Sequence, residues 1–512
     1  MAQVATIDSN ATGLRYAVES TIGVLPGSPI WNQLEPNNYS DFGGELALIA
    51  RNPINDGRQR QKGVITDLDA DGGFEFDFVQ DNNDEILEGA MFAEFDEKGV
   101  EVVTAVDLDT ANPDEYEVAL TAGFFVNSLI KGFDFTNAAN NALNVVTAIV
   151  ADTSVEVADG QLVAETPPAT ANIKVVGYQG IAGDIDVDAS GDLPILTTTS
   201  LDWTTLGLSV GEFIYIGGDS AALGFATAAN NGFKRIRSIA ANALTLDKSE
   251  LTMVTEASTT ETVQIFFGKT LKNKTGTDIV RTTFQLERTL GAPDNALPAE
   301  IQSEYVTGAV VNELNVNIPT ADKLMAEVSF IGLDHEQRTG ATGVKSGSRP
   351  TLVAKDAYNT SSDFGAIKMA VVSDTDESPT PLFTYITELN LTINNNLSAN
   401  KAVGTLGAIE ITAGTFEVSA EITAYFNNVA AVTAVRNNSD VTIHAEVVKS
   451  NAGFVVDLPL IALGNGRLEV EQDEAITLPL DAQAAAGNKI STDMNHTLFW
   501  SVFPYLPDAA DA

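Results

Sequence analysis

The chain has 512 residues, with 28 Lys and Arg against 70 Asp and Glu, a formal charge of -42, and no cysteine. That balance excludes a surface built to neutralise nucleic-acid phosphates, and the missing thiols exclude disulfide staples, thiol nucleophiles and thiolate metal sites. With 44% hydrophobic and 19% charged residues, there is apolar material for packed cores, and the length asks for two to four domains.

In chain order, Met1 to Asp8 (MAQVATID) lacks the basic and apolar regions of a signal peptide. No run approaches the ~18 apolar residues of a membrane span, so a cytosol-like site of synthesis and no membrane partner are expected. Residues 1–40 are read as an N-terminal arm. The loop Arg51 to Lys62 (RNPINDGRQRQK) is locally basic on an acidic protein. Asp67 to Gly72 begins like a calcium loop, but Phe78 stands where the bidentate Glu is needed, so a turn before a strand is expected. In Phe74-Glu75-Phe76-Asp77-Phe78 the pleat sends three Phe to one face and two acids to the other. A short helix is expected from Asn83 to Phe95.

The middle of the chain repeats itself. FTNAANN at Phe135 resembles FATAANN at Phe225, an offset of 90 that also pairs Val146 with Ile236 and Ile149 with Ile239. We read residues 121–180 and 205–268 as sister β-modules joined by the Gly/Asp-rich stretch Gly180 to Pro194. Asp184, Asp186 and Asp188 in that stretch are a weak calcium candidate; no other cofactor is expected. Gly207 to Gly211 (GLSVG) fits the nucleophile-elbow pattern, but strand-like residues follow where a helix is required. His335, His444 and His496 have no ligand spacing. No enzyme is expected.

Residues 41–120 with 271–333 form one expected β-sandwich, 334–377 a flexible loop and linker, 378–506 a second sandwich, and 507–512 an acidic tail. The two sandwiches share a weaker repeat: Gly72, Phe74 and Glu75 match Gly414, Phe416 and Glu417 at an offset of 342. Val418, Ala420 and Ile422 alternate with Glu417, Ser419 and Glu421, and a second short helix is expected within Asn428 to Arg436. The protein reads as mainly β.

The segments LRYAVESTIGVLP at Leu14, DGGFEFDF at Asp71, LEGAMF at Leu87 and RTTFQLER at Arg281 resemble the front half of siphophage major tail tube proteins. YVTGAVVNEL at Tyr305, LNLTINNNL at Leu389 and GTLGA at Gly404 are similar to the later landmarks of that family, in its order. The departure is the pair of modules, which looks like an insertion. The resemblance implies a virion structural protein, assembled in the host cytoplasm, whose β-sandwiches close into a barrel on oligomerisation and pass DNA without binding it specifically.

Glu75, Asp77, Glu417 and Glu421 are then the expected lumen-lining acids. Arg51, Arg58, Arg60 and Lys62 are the expected ring-stacking loop, with the basic stretch 334–350 as a further contact. Two tube units per chain imply a trimeric, pseudo-hexameric ring, with a hexamer as the alternative; the partners are the chain itself and other tail proteins. A minor tail or tail-tip protein and an acidic extracellular adhesin or surface-layer protein are the competing readings.

Overall fold

Alternating apolar and polar residues lay down strands from the start of the chain. The computed structural model describes residues 6–7, 9, 12–54, 56–57, 59–80, 83–108, 114–291, 301–372, 378, 380–383 and 385–510. Two units emerge. The first comprises Met1–Glu94, Lys274–Thr360 and Thr387–Ile422; the second comprises Phe95–Asn273, Ser361–Ile386 and Thr423–Ala512.

The first unit opens with β1 (Gly13–Val18), β2 (Asn32–Leu34), β3 (Pro36–Arg51), β4 (Gln61–Asp77) and helix α1 (Asp84–Met91). The expected arm is therefore partly built into a sheet, because Leu14 and Tyr16 on β1 are core residues. Asp84 and Glu85 occupy the first turn of α1, where the helix dipole favours acids. Ile86, Leu87, Ala90 and Met91 form its buried stripe. A Cβ on Gly89 would lie 2.8 Å from Phe284 and 3.0 Å from Val311, so the missing side chain lets the helix seat closely.

Residues 95–273 belong to the second unit. They form β5 (Val100–Asp107), β6 (Glu115–Val118), β7 (Ser128–Phe133), β8 (Leu143–Val145), β9 (Ala148–Val150), β10 (Ser154–Glu156) and β11 (Asn172–Gln179). There follow β12 (Asp186–Asp188), β13 (Ile195–Thr197), β14 (Phe213–Ile216), β15 (Gly232–Ala240), β16 (Ala243–Asp247), β17 (Gln264–Phe266) and β18 (Lys269–Lys272).

The two Asn-Asn copies fold alike. Asn141 accepts the Phe135 amide at 3.0 Å and donates to its carbonyl at 2.9 Å; Asn231 treats Phe225 the same way at 2.9 and 2.8 Å. Buried Asn140 and Asn230 clamp the backbones of Val163 and Val254 through both amide atoms. Only a side-chain amide offers donor and acceptor together at that reach, which explains why both copies keep the pair. β5 and β6 precede the first copy, and β12 and β13 the second. The latter pair lies partly inside the expected linker, where Ile185 and Val187 are buried and alternate with the half-buried Asp184, Asp186 and Asp188. Both copies contribute to one apolar core, with Tyr116, Trp203, Ile214 and Ile236 fully buried.

The chain continues through β19 (Phe284–Gly291), β20 (Gln302–Pro319), β21 (Met325–Gly332), β22 (Asp334–Thr339) and β23 (Phe364–Val371), then β24 (Ile386–Asn394), β25 (Ser398–Lys401), β26 (Ala408–Thr412) and β27 (Glu417–Tyr425). β20 organises the first unit. Its first half pairs with β19 and β22 and its second half with β21 and β24. β19 carries β1 and then β2; β21 carries β4 and then β3; β27 lies beside β24.

The stretch expected to be loose from residue 334 thus starts as a strand, recruited by the unpaired edge of β20 and not by any apolar pattern. Its basic residues are engaged within the unit: Lys345 with Glu336 at 2.9 Å and Arg349 with Glu287 at 2.6 Å.

The second unit ends with α2 (Ala430–Arg436), β28 (Val441–Lys449), β29 (Ala452–Asn465), β30 (Thr477–Ala485) and β31 (Phe499–Phe503). β28 lies between β23 and β29, and β31 between β29 and β18. The protein is mainly β with two α-helices among the described residues, and its sheets are not closed into a barrel within the single chain.

Candidate functional site: a polar sheet face and an exposed hairpin

Four of the expected site residues come from strands of the first unit with one buried face. Phe74, Phe76, Val328, Leu314, Val316, Leu391 and Ile393 point into the core. The opposite face is polar. Cross-strand registers set Glu75 opposite Glu327, Glu327 opposite Asn315, and Asn315 opposite Thr392. The next row runs Asp77, Met325, Asn317, Asn390. Glu417, Ser419 and Glu421 on β27 are exposed, alternating with buried Val418, Ala420 and Ile422.

Directly opposed side chains lie about 5 Å apart, so this is one continuous surface of acids and amides. Asp77 is the most constrained of its acids, accepting from Asn37 at 2.5 Å and pairing with Lys323 at 2.6 Å. Further back on β4, partial burial and the nearby Asp41 and Asp69 carboxylates raise the pKa of Asp71.

Sequence reasoning missed Glu327, Glu313, Asn315, Asn317 and Asn390. The signal was present, since LNVNI at Leu314 and LNLTI at Leu389 alternate with period two. What it lacked was the pairing that aligns them with β4.

β3 and β4 extend beyond this face as a long two-stranded hairpin. Leu48 (66% exposed) opposes Ile65 (55%), and Ile49 (61%) opposes Val64 (57%). Adjacent residues of a strand point to opposite sides, so the hairpin is apolar on both faces. Arg51 ends β3, and Arg60 and Lys62 flank the start of β4, all exposed; Arg58 lies outside the described residues. Near its base, Lys401 pairs with Asp67 at 2.6 Å and Asp69 at 2.5 Å. These contacts raise the Lys401 pKa and lower that of Asp67. The calcium-like aspartates Asp67 and Asp69 thus lie within β4, each with a lysine partner.

The other candidates are engaged in local structure. Asp184 accepts from the Thr199 amide at 3.0 Å, from the Thr199 and Ser200 hydroxyls at 2.7 and 2.5 Å, and from Thr198. Burial pushes its pKa up, but the hydrogen bonds from Ser200, Thr198 and Thr199 outweigh that and hold it at about 2. Asp186 accepts the Ser258 amide at 2.8 Å, and Asp188 the Ser190 amide at 3.0 Å. Gly207 to Gly211 leads into β14, not a helix, and the Ser209 amide donates to Glu212 at 2.9 Å. His335 contacts Glu304 at 3.0 Å and His444 contacts Glu446 at 3.4 Å, while His496 is fully buried with its ring on Phe499.

A one-sided sheet with a polar outer face suits many proteins. The family comparison decides among them: the model described as phage tail tube protein matches residues 9–484. The chain belongs to the phage tail tube protein family. It is a structural component of the phage tail, in a family that implies no enzymatic activity. No curated protein matches it. Among the described residues, no helix of this tail tube protein is long and apolar enough to cross a membrane.

Proposed function

We propose that this tail tube protein is the major subunit of a non-contractile tail tube, assembling with copies of itself into stacked rings that conduct DNA. The continuous polar face over β4, β21, β20, β24 and β27 carries this reading. In a ring, that face lines the channel with Glu75, Asp77, Glu327, Glu417 and Glu421. Like charge keeps the duplex from adhering, and amides between the acids keep the surface wet without adding cations.

Ring closure answers a physical need, because open sheet edges invite uncontrolled pairing and a barrel shared between subunits removes them. A hairpin precedes a short helix twice in the chain, as β3–β4 before α1 and as β25–β26 before α2, with β27 intervening in the second. Two tube-like halves per chain favour three chains per ring over six. The hairpin of β3 and β4, apolar on both faces, is the natural ring-to-ring contact, with Arg51, Arg60 and Lys62 meeting acidic surface on the neighbouring copy.

Exchanging Glu75 and Glu421 for Lys tests the lumen placement. Both side chains reach solvent, so tubes should still assemble, and DNA ejection should slow by about an order of magnitude at low salt as phosphates gain cationic partners. Normal tubes with an unchanged ejection rate would contradict it.

A further inference from the structure

A buried ionic row in the second unit has no part in the polar face. Pairing registers place Lys368, His444, Asp457, Phe499 and Lys272 opposite one another across β23, β28, β29, β31 and β18, so their side chains share one side of that sheet. Arg235 on β15 grips Asp247 on β16 with two bonds of 2.8 Å. It also donates from Nη1 to Asp457 Oδ2 at 3.1 Å. The Lys248 ammonium contacts the other oxygen, Asp457 Oδ1. The side chains of Arg235, Lys248 and Asp457 are 2%, 4% and 1% exposed.

We propose that Lys248 and Asp457 condense into an intramolecular isopeptide bond, a self-catalysed modification that joins the second β-module covalently to the C-terminal sheet. The Lys248 ammonium first passes a proton to the carboxylate. Nζ attacks Cγ, and the negative charge that develops on Oδ2 is met by the Nη1 donor of Arg235, already aimed at that atom. The Cγ–Oδ1 bond then breaks, and Oδ1 leaves as water with two of the three ammonium protons; the amide keeps the third. No oxidant or external reagent is needed.

His444 lies opposite Asp457 on β28 and is buried beside it, with Nε2 on Glu446 at 3.4 Å. Water exclusion disfavours the reverse hydrolysis.

The electrostatics ease proton loss from Lys248 but hold Asp457 ionised, so the step rests on the contact geometry. Burial, and then Arg235, lower the Lys248 pKa to about 8, against the pull of Asp457. Burial raises the Asp457 pKa, but Lys248 and Arg235 outweigh it and hold the carboxyl below its ordinary value. Condensation removes one buried charge of each sign and leaves Arg235 with Asp247 and an amide oxygen. The bond would tie residues separated by 209 positions in sequence, so the module could not be peeled from its sheet under load.

The test is the mass of the intact full-length protein, measured denatured, followed by peptide mapping. The expected mass is one water below that of the sequence, with a branched peptide joining Lys248 to Asp457 and no tryptic cleavage after Lys248. Lys248→Arg should restore the sequence mass. A wild-type protein at its full sequence mass overturns the proposal whether or not any variant folds. So does water loss that persists in Lys248→Arg, or that maps to another residue pair.

Discussion

Replacing Arg235 with Ala is expected to lower the stability of the second unit by about 3–5 kcal/mol, the usual result of leaving a buried charge without its partner. The guanidinium is 2% exposed and spans Asp247 and Asp457. Without it, Asp247 retains an Arg237 contact at 3.4 Å. Arg235→Lys should recover little, because an ammonium cannot reproduce the planar fork that reaches both partners. Against a typical total of 5–15 kcal/mol, the expected loss is a large fraction. Urea unfolding followed by the fluorescence of Trp203 and Trp500, both buried in this unit, measures it. A loss below about 1 kcal/mol would show that the ionic row contributes no more than an exposed pair.

The second large effect is on assembly, and it should leave the fold intact. Leu48, Ile49 and Ile65 are more than half exposed in the single chain, so converting all three to Asp should change its stability by about 0.5 kcal/mol or less per site. Buried between copies, each apolar side chain contributes about 1.5–3 kcal/mol. Losing three weakens association by roughly a thousandfold or more. Sedimentation of the purified variant should show only small, folded species at concentrations where the wild type forms tubes. Tubes of normal length from the triple variant would move the ring-to-ring contact elsewhere.

Local alternation made much of this molecule legible from its sequence. FEFDF at Phe74 revealed which way the acids of β4 point, and the apolar stripe of Ile86, Leu87, Ala90 and Met91 placed α1 within its expected range. The Asn-Asn repeat was equally clear, because two copies of one turn need the same paired amides. The edges of the modules were not. β5, β6, β12 and β13 belong to them only through pairing, β5 with β11, β6 with β10, β13 with β16 and β12 with β13, which no local pattern reports.

Non-local pairing also hid the rest of the polar face. Glu327 and Asn315 complete it only because β20 and β21 align with β4. β22 is a strand because β20 offers it an edge, although its own residues read as a loop. The Arg235–Asp457 contact joins positions 222 residues apart, and no local pattern announces it.

The polar face of the first unit is expected to line a channel built from copies of this chain. Cryo-electron microscopy of tubes grown from the purified protein tests it most directly. The expected map shows stacked rings of three chains around an open channel, with Glu75, Glu327 and Glu421 pointing into it and the hairpin of β3 and β4 reaching the adjacent ring. Tubes in which these acids face the outer surface, or a purified chain that forms no tubes at any concentration, would contradict it.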